Sequence, residues 1–194
     1  VYDREGWHPM PYLDQGEFYS EVGAFDVKIN VPSGYVVGST GDLQNNPAEE
    51  KFLREREAWT RENVSAKTDS FDFPMAHDTG PRKTLHFHQE KVHDFAWFCD
   101  EKYFVMTDSV ELPATQRKVK TVAMFGPKDR GFWKVSNDYL NKSVYYYSLW
   151  NGDYPYNHAT AVDGALSAGA GMEYPNITVV GAGGSAASLE MVIM

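Results

Sequence analysis

The sequence predicts a mainly β fold that gives way to an α+β C-terminal part. Three observations carry this. Phe25, Val27, Ile29 and Val31 alternate with Asp26, Lys28 and Asn30, the period of a half-buried strand. The alternation returns after Lys83 and again after Phe95. Beyond Gly126-Pro127 the apolar period changes from two to between three and four.

Residues 17 to 38 read as strands, with Pro32-Ser33-Gly34 as a turn and Tyr35-Val36-Val37-Gly38 pairing back. Asn46-Pro47-Ala48-Glu49 reads as a helix start. Asn46 caps, Pro47 takes the first helical position, and Glu49 completes a capping box. The stretch to Arg61 is highly charged, with Phe52 and Trp59 its main apolar members, so a solvated helix lying on a sheet is expected. From Lys83, the side chains of Leu85, Phe87 and Gln89 face one way and those of His86, His88 and Glu90 the other. Phe95, Trp97 and Cys99 interleave with Ala96 and Phe98, a strand apolar on both faces. Tyr103 to Met106 and Arg117 to Phe125 complete a β-rich segment over 1–126. In 127–194, the spacing of Phe132, Val135, Tyr139, Tyr146, Tyr147 and Trp150 predicts one helix of about five turns with an aromatic stripe. Gly152 stops it. His158 to Val162 and Ile177 to Val180 are strands around a glycine-rich loop.

Composition removes several function classes. The chain has 194 residues and a net charge of −9. A nucleic-acid binder needs a basic face, so no nucleic-acid partner is expected. The one cysteine, Cys99, allows neither an internal disulfide nor a cysteine zinc site. The low-charge stretch from Ile177 to Met194 is broken by Gly181, Gly183, Gly184, Ser185, Ser188 and Glu190, so no membrane segment is expected. Localisation is left open.

Candidate chemistry is sparse. His86 and His88 share a strand face, but His93 lies at odd spacing, and zinc asks for three or four ligands. Ordinary strand histidines are the expectation. Val179 to Ala186 fits G-x-G-x-x-A, whose backbone N–H groups cradle a pyrophosphate. That fingerprint also needs a further strand and an acidic residue about 20 positions on. Asn63-Val64-Ser65, Asn141-Lys142-Ser143 and Asn176-Ile177-Thr178 match the glycosylation pattern, which chance produces often.

The stretch from Asp163 to Pro175, with Ala170-Gly171-Met172-Glu173-Tyr174 at its centre, resembles the exopeptidase motif G-x-M-E-N of the zinc aminopeptidases of the gluzincin type. Pro11-Tyr12-Leu13-Asp14 is similar to a turn of that family's β-saddle domain, and Val92 to Trp97 to a late saddle strand. The resemblance implies a division. Residues 1–126 would be the C-terminal portion of an N-terminal β-saddle domain. Residues 127–194 would be the opening helix and small sheet of a thermolysin-like catalytic domain. It implies substrate-binding roles for Glu173, Met172, Gly171 and Ala170, with Glu173 holding the free α-amino group of a peptide. Ala170 stands where the motif has Gly, and Tyr174 where it has Asn. Ser188 to Met194 looks like the lead-in to the zinc helix. The resemblance therefore places zinc, and the catalytic residues, in the remainder of a longer parent, with none expected in this chain. A short final helix entered at Ser188 is then expected to be loosely held, with Leu189, Val192 and Ile193 exposed. A non-catalytic scaffold of the same architecture and a nucleotide-binding domain remain as alternatives.

Overall fold

The computed structural model describes residues 2–9, 20–68, 70–74, 80–166, 171–181 and 184–194. The elements in order begin with a short ribbon of β1 (Tyr2–Asp3) and β2 (Gly6–Trp7). They continue with β3 (Gly23–Pro32), β4 (Val36–Ser39), β5 (Asp42–Leu43), α1 (Pro47–Asn63), β6 (Arg82–Val92) and β7 (Trp97–Asp100). Then come β8 (Phe104–Glu111), β9 (Lys118–Phe125), α2 (Arg130–Trp133), α3 (Ser136–Asn151) and β10 (His158–Asp163). The last are β11 (Gly171–Tyr174), β12 (Ile177–Val180) and α4 (Ala186–Ile193). The fold is mainly β with an α+β C-terminal part, as the pattern of periods predicts.

Two sheet systems face each other. In the first, β3, β6 and β5 are antiparallel, with Ile29 opposite Leu85 and Val27 opposite Phe87. Ile29, Val31, Leu85 and Phe87 bury together, the outcome of strict alternation. The second is a mixed five-stranded sheet in the order β11-β12-β10-β9-β8. Its centre, β9-β10-β12, is parallel, and both edge strands are antiparallel. The β9-to-β10 crossover is α2 and α3, as parallel neighbours require. This sheet runs from Phe104 to Val180 and so draws strands from both sides of Gly126. One face packs on α2, α3 and α4 through Phe104, Phe125, Trp133, Leu140 and Leu189. The other packs on β4, β7 and α1 through Val36, Val105, Met124, Val162 and Ile177.

Four expectations are corrected. The strand after Pro32-Ser33-Gly34 does not pair back on β3; β4 pairs with β7, and β3 with β6. The reason is that β4 is buried on both faces. Val36 joins one core cluster and Val37 the other, so β4 lies between two layers, a place no half-solvated partner of β3 can take.

The charged helix α1 is not simply solvated: Glu49, Arg56 and Thr60 are buried. Arg56 is 1% exposed and donates to the carbonyls of Glu101 (2.9 Å), Tyr103 (3.4 Å), Gly34 (3.3 Å) and Pro74 (2.9 Å). Glu49 binds the Lys83 ammonium at 2.7 and 2.9 Å.

The single five-turn helix is two helices, and its aromatic stripe divides: Phe132 and Tyr139 pack against the core, and the C-terminal part points outward. Tyr146, Tyr147 and Trp150 are exposed, whereas Ser136, Leu140, Val144 and Ser148, four apart, face the sheet. Small and aliphatic residues let α3 approach β9 closely, and Asn137 donates to the Thr121 carbonyl at 3.2 Å.

Finally, α4 starts at Ala186, capped by Ser185, whose Oγ accepts from the Ser188 N–H at 3.1 Å. Leu189 is fully buried, Ile193 is buried, and Val192 packs against the same cluster, so these side chains are not exposed. The Tyr147 hydroxyl donates to the Met194 carbonyl at 2.6 Å.

Candidate functional site

β11 and β12 form a hairpin at one edge of the five-stranded sheet, joined by Pro175-Asn176. Proline presets the first turn position, and Asn176 takes the second with φ +53°, a left-handed conformation that asparagine tolerates. Glu173 lies opposite Thr178 and Gly171 opposite Val180. In a two-residue hairpin the pair flanking the turn, here Tyr174 and Ile177, is the hydrogen-bonded one. Alternation then directs the backbone N–H and C=O groups of Glu173 and Gly171 away from β12, toward the open side of the edge.

The side chains divide by face. Tyr174 packs against Phe98, ring centroids 6.4 Å apart, on the face that meets β4 and β7. Met172 is half-buried on that face, and its carbonyl accepts from the Thr178 hydroxyl at 3.1 Å. Gly171 and Glu173 lie on the helical face. A Cβ on Gly171 would sit 3.1 Å from Val192 Cγ1, so this glycine lets α4 close over the start of β11. Glu173 is exposed, and no group among the described residues holds its carboxylate. Of the expected site, Glu173, Met172 and Gly171 therefore share one edge strand; Ala170 lies outside the described residues, as does the Pro11–Asp14 turn.

What sequence reasoning missed is the support beneath the turn. The Thr40 hydroxyl donates to the Pro175 carbonyl at 3.0 Å, and the Gly41 N–H donates to Asn176 Oδ1 at 3.1 Å. Asn176 Nδ2 donates to Gln89 Oε1 at 3.1 Å, and the Asn176 carbonyl accepts from the Thr160 N–H at 3.0 Å. Asn176 is 5% exposed, so its amide is a structural bond-former and not an open glycosylation acceptor. Gly41 has φ +91°, and a Cβ there would sit 2.9 Å from the His88 carbonyl oxygen. Only glycine fits that approach. A left-handed asparagine in a Pro-Asn turn was the one sequence signal available.

The other candidate polar groups bond to one another or to backbone. A cleft of about 560 Å³ lies between α1, β4, β5 and the five-stranded sheet, away from Glu173. On its rim Asp42 accepts from Asn157 at 2.6 Å, and Glu57 accepts from the Thr107 hydroxyl at 2.7 Å. His158 bonds the Gly41 carbonyl at 3.0 Å and Thr160 Oγ1 at 3.2 Å. Burial pushes the His158 imidazole below its ordinary value, the Gly41 bond opposing. His86 and His88 share Asp26 across the strands, at 2.9 and 3.4 Å. The His86 hydrogen bond, with His88 adding to it, holds that exposed carboxyl below its ordinary value. Among the described residues no group of three His, Cys, Asp or Glu side chains is placed to hold a metal ion. The described residues alone do not fit a zinc site.

No protein-family model and no curated protein matches the chain. Solved structures do match. The M1 zinc metallopeptidase from Deinococcus radiodurans is 15% identical, with a TM-score of 0.54 over 83% of this chain and 30% of its own. A variant of the M1 zinc metallopeptidase from the same organism gives 13% identity and a TM-score of 0.55, over 90% of this chain and 34% of its own. A variant of a two-domain M1 zinc metallopeptidase bound to L-tryptophan gives 15% and 0.51, over 83% and 30%. The likeness is one of fold. The chain spans 30% to 34% of the length of these metallopeptidases. No helix among the described residues is long and apolar enough to cross a membrane.

Proposed function

We propose that this chain is the part of an M1-type zinc aminopeptidase that anchors the substrate's N-terminus, with Glu173 as the anchor. The observation that carries the reading is an exposed, unpartnered carboxylate on the edge strand of a mixed sheet whose fold matches that of zinc metallopeptidases. A carboxylate facing an α-ammonium makes a charge-assisted hydrogen bond, about twice as strong as a neutral one. Such a bond counts position from the free end of a peptide. The outward N–H and C=O groups of Gly171 and Glu173 would take the backbone of an extended peptide as an added strand. Met172 and Ala170 would flank that path. The division of the chain falls before Phe104 on this reading, because β8 and β9 share the sheet that bears the anchor. Zinc and the groups that activate water belong to other parts of the parent, and no chemical step is assigned to residues of this chain.

In the full-length protein, Glu173→Gln lowers kcat/KM for an L-alanyl anilide by roughly 10- to 150-fold, the cost of a hydrogen bond to a charged group, about 1.5–3 kcal/mol. Unchanged kinetics in a folded variant would remove Glu173 from the site.

A further inference from the structure

We infer that Asn176 is a positioning residue for Glu173: clamped by Thr40 and Gly41, its turn fixes where the anchor carboxylate stands. This rests on the reading of Glu173 given above and goes beyond it, because the residues concerned touch no substrate.

β11 is an edge strand with a single neighbour, β12. Among the described residues no strand pairs with its open side. Its position therefore depends on the β12 ladder, the cover of α4 over Gly171, and the turn at Pro175-Asn176. Glu173 is three residues from Asn176, and the turn is held from below by groups on two separate strands and one loop. Thr40 is itself fixed, its N–H donating to the Ala96 carbonyl at 2.8 Å and its Oγ1 accepting from the Ala96 N–H at 3.2 Å. The Asn176 side chain uses both ends of its amide, Oδ1 toward Gly41 and Nδ2 toward Gln89. These bonds are buried or half-buried, where an unmade bond costs most. A plain two-residue turn needs none of them, since glycine would satisfy φ +53° at no steric cost. The bonds locate the turn relative to the β3-β6-β5 sheet, and the turn locates Glu173.

The test compares the full-length protein with Asn176→Gly, Glu173→Gln and the double variant. The readout is the ratio of affinities for L-alaninol and its N-acetyl derivative, which carry no aminoacyl bond to cleave, by titration calorimetry. Asn176→Gly keeps the backbone conformation and removes the side-chain part of the clamp, the bonds to Gly41 and Gln89, while the Thr40 bond to the Pro175 carbonyl stays. It should lower the ratio about tenfold, less than the roughly 100-fold that a 1 Å displacement at a reacting centre can cost. Glu173→Gln should abolish the preference, and Asn176→Gly should add nothing in that background. A general loss of structure lowers both affinities alike and leaves the ratio intact. Thr40→Val, which leaves the turn sequence untouched, should move the ratio the same way and carries the test if Asn176→Gly fails to fold. An unchanged ratio in Asn176→Gly or Thr40→Val, beside a changed one in Glu173→Gln, overturns this inference and leaves the anchor standing. A further fall in the double variant also overturns it. An unchanged ratio in Glu173→Gln overturns the anchor and this inference together.

Discussion

The helices α1 and α3 reverse what their compositions suggest. α1 is dense in Glu, Lys and Arg, yet it buries an arginine, a glutamate and a threonine. α3 carries three consecutive tyrosines and a tryptophan, yet Trp150 is 68% exposed and Tyr147 half exposed. The difference lies in what each helix meets. α1 crosses a place where four carbonyls converge, from Gly34, Pro74, Glu101 and Tyr103, and no apolar side chain can satisfy them. Arginine answers with a planar fork of donors, and its guanidinium carbon lies 5.3 to 6.0 Å from the ring centroids of Phe52, Trp59 and Phe73. α3 meets the flat surface of β8, β9 and β10, where close approach rewards Ser136, Leu140, Val144 and Ser148. The rings of Tyr146 and Trp150 instead stack on each other at the surface, 5.8 Å apart. Angular position on the helix decides burial, and composition does not.

The strongest test of this contrast is Arg56→Ala. Burial pulls the Arg56 guanidinium down to about 10, against the pull of Asp100 and Glu101, so it stays charged at neutral pH. Removing it leaves four carbonyls without a donor and should cost about 3–5 kcal/mol in urea unfolding. A loss below about 1 kcal/mol would break the contrast from the side of α1.

Next comes Leu140→Ala on the inner face of α3, expected to cost about 2–4 kcal/mol. Trp150→Ala on its outer face should stay within about 0.5 kcal/mol. If the tryptophan proves the costlier of the two, the outward stripe is wrong.

Asp163 sharpens the comparison from the opposite direction. It is a half-buried charge with no cation beside it among the described residues: its carboxylate accepts from the Gly126 N–H at 3.0 Å and has Asp129 near. Burial raises its carboxyl to about 6 from 3.8, the Gly126 bond opposing. A carboxyl raised in the folded state contributes stability below the unfolded value of 3.8 and loses it as pH rises through about 6. Discounted for solvent screening, the ionised form costs on the order of 1–2 kcal/mol at pH 7.5. Asp163→Asn should therefore raise the melting temperature by about 2–4 °C at pH 7.5. At pH 4 the gain should vanish. A gain independent of pH would show that Asp163 is not strained by its charge. The smallest effect is expected at the exposed Glu50–Arg54 pair, 3.8 Å apart, where Arg54→Ala should change stability by about 0.5 kcal/mol or less.

Features with a local period were legible. The alternation at Ile29, Val31, Leu85 and Phe87 became a core face, and Asn46 Oδ1 accepts from the Glu49 N–H at 3.0 Å as the capping signal predicts. The Glu49 side chain, expected to reach back to Asn46, turns to Lys83 instead, since a charged ammonium attracts it more strongly than a neutral backbone N–H. The pairing of β4 was not legible, because a strand apolar on both faces does not name its neighbour. Glu173 was visible only through resemblance to a motif; periodicity marks it as an ordinary strand residue. Beyond the Pro-Asn turn itself, the clamp of Thr40 and Gly41 on Asn176 left no trace in the sequence, because its bonds join residues far apart in the chain and have no spacing to read.

The clamp on the β11–β12 turn also has a place in the order of folding. Thr40 reaches Pro175, and Gly41 reaches Asn176, across 135 residues. Contacts so distant form late, since the chain between them must be ordered first. We expect pulse-labelling during refolding to protect the amides of Ile29 and Leu85 before that of Gly41. Protection in the reverse order would refute this sequence of events. Translation from the N-terminus imposes the same order, because Thr40 waits through 135 residues of synthesis for its partner. The carboxylate of Glu173 takes up its position only when the two halves of the chain have found each other, so the site itself registers that folding is complete.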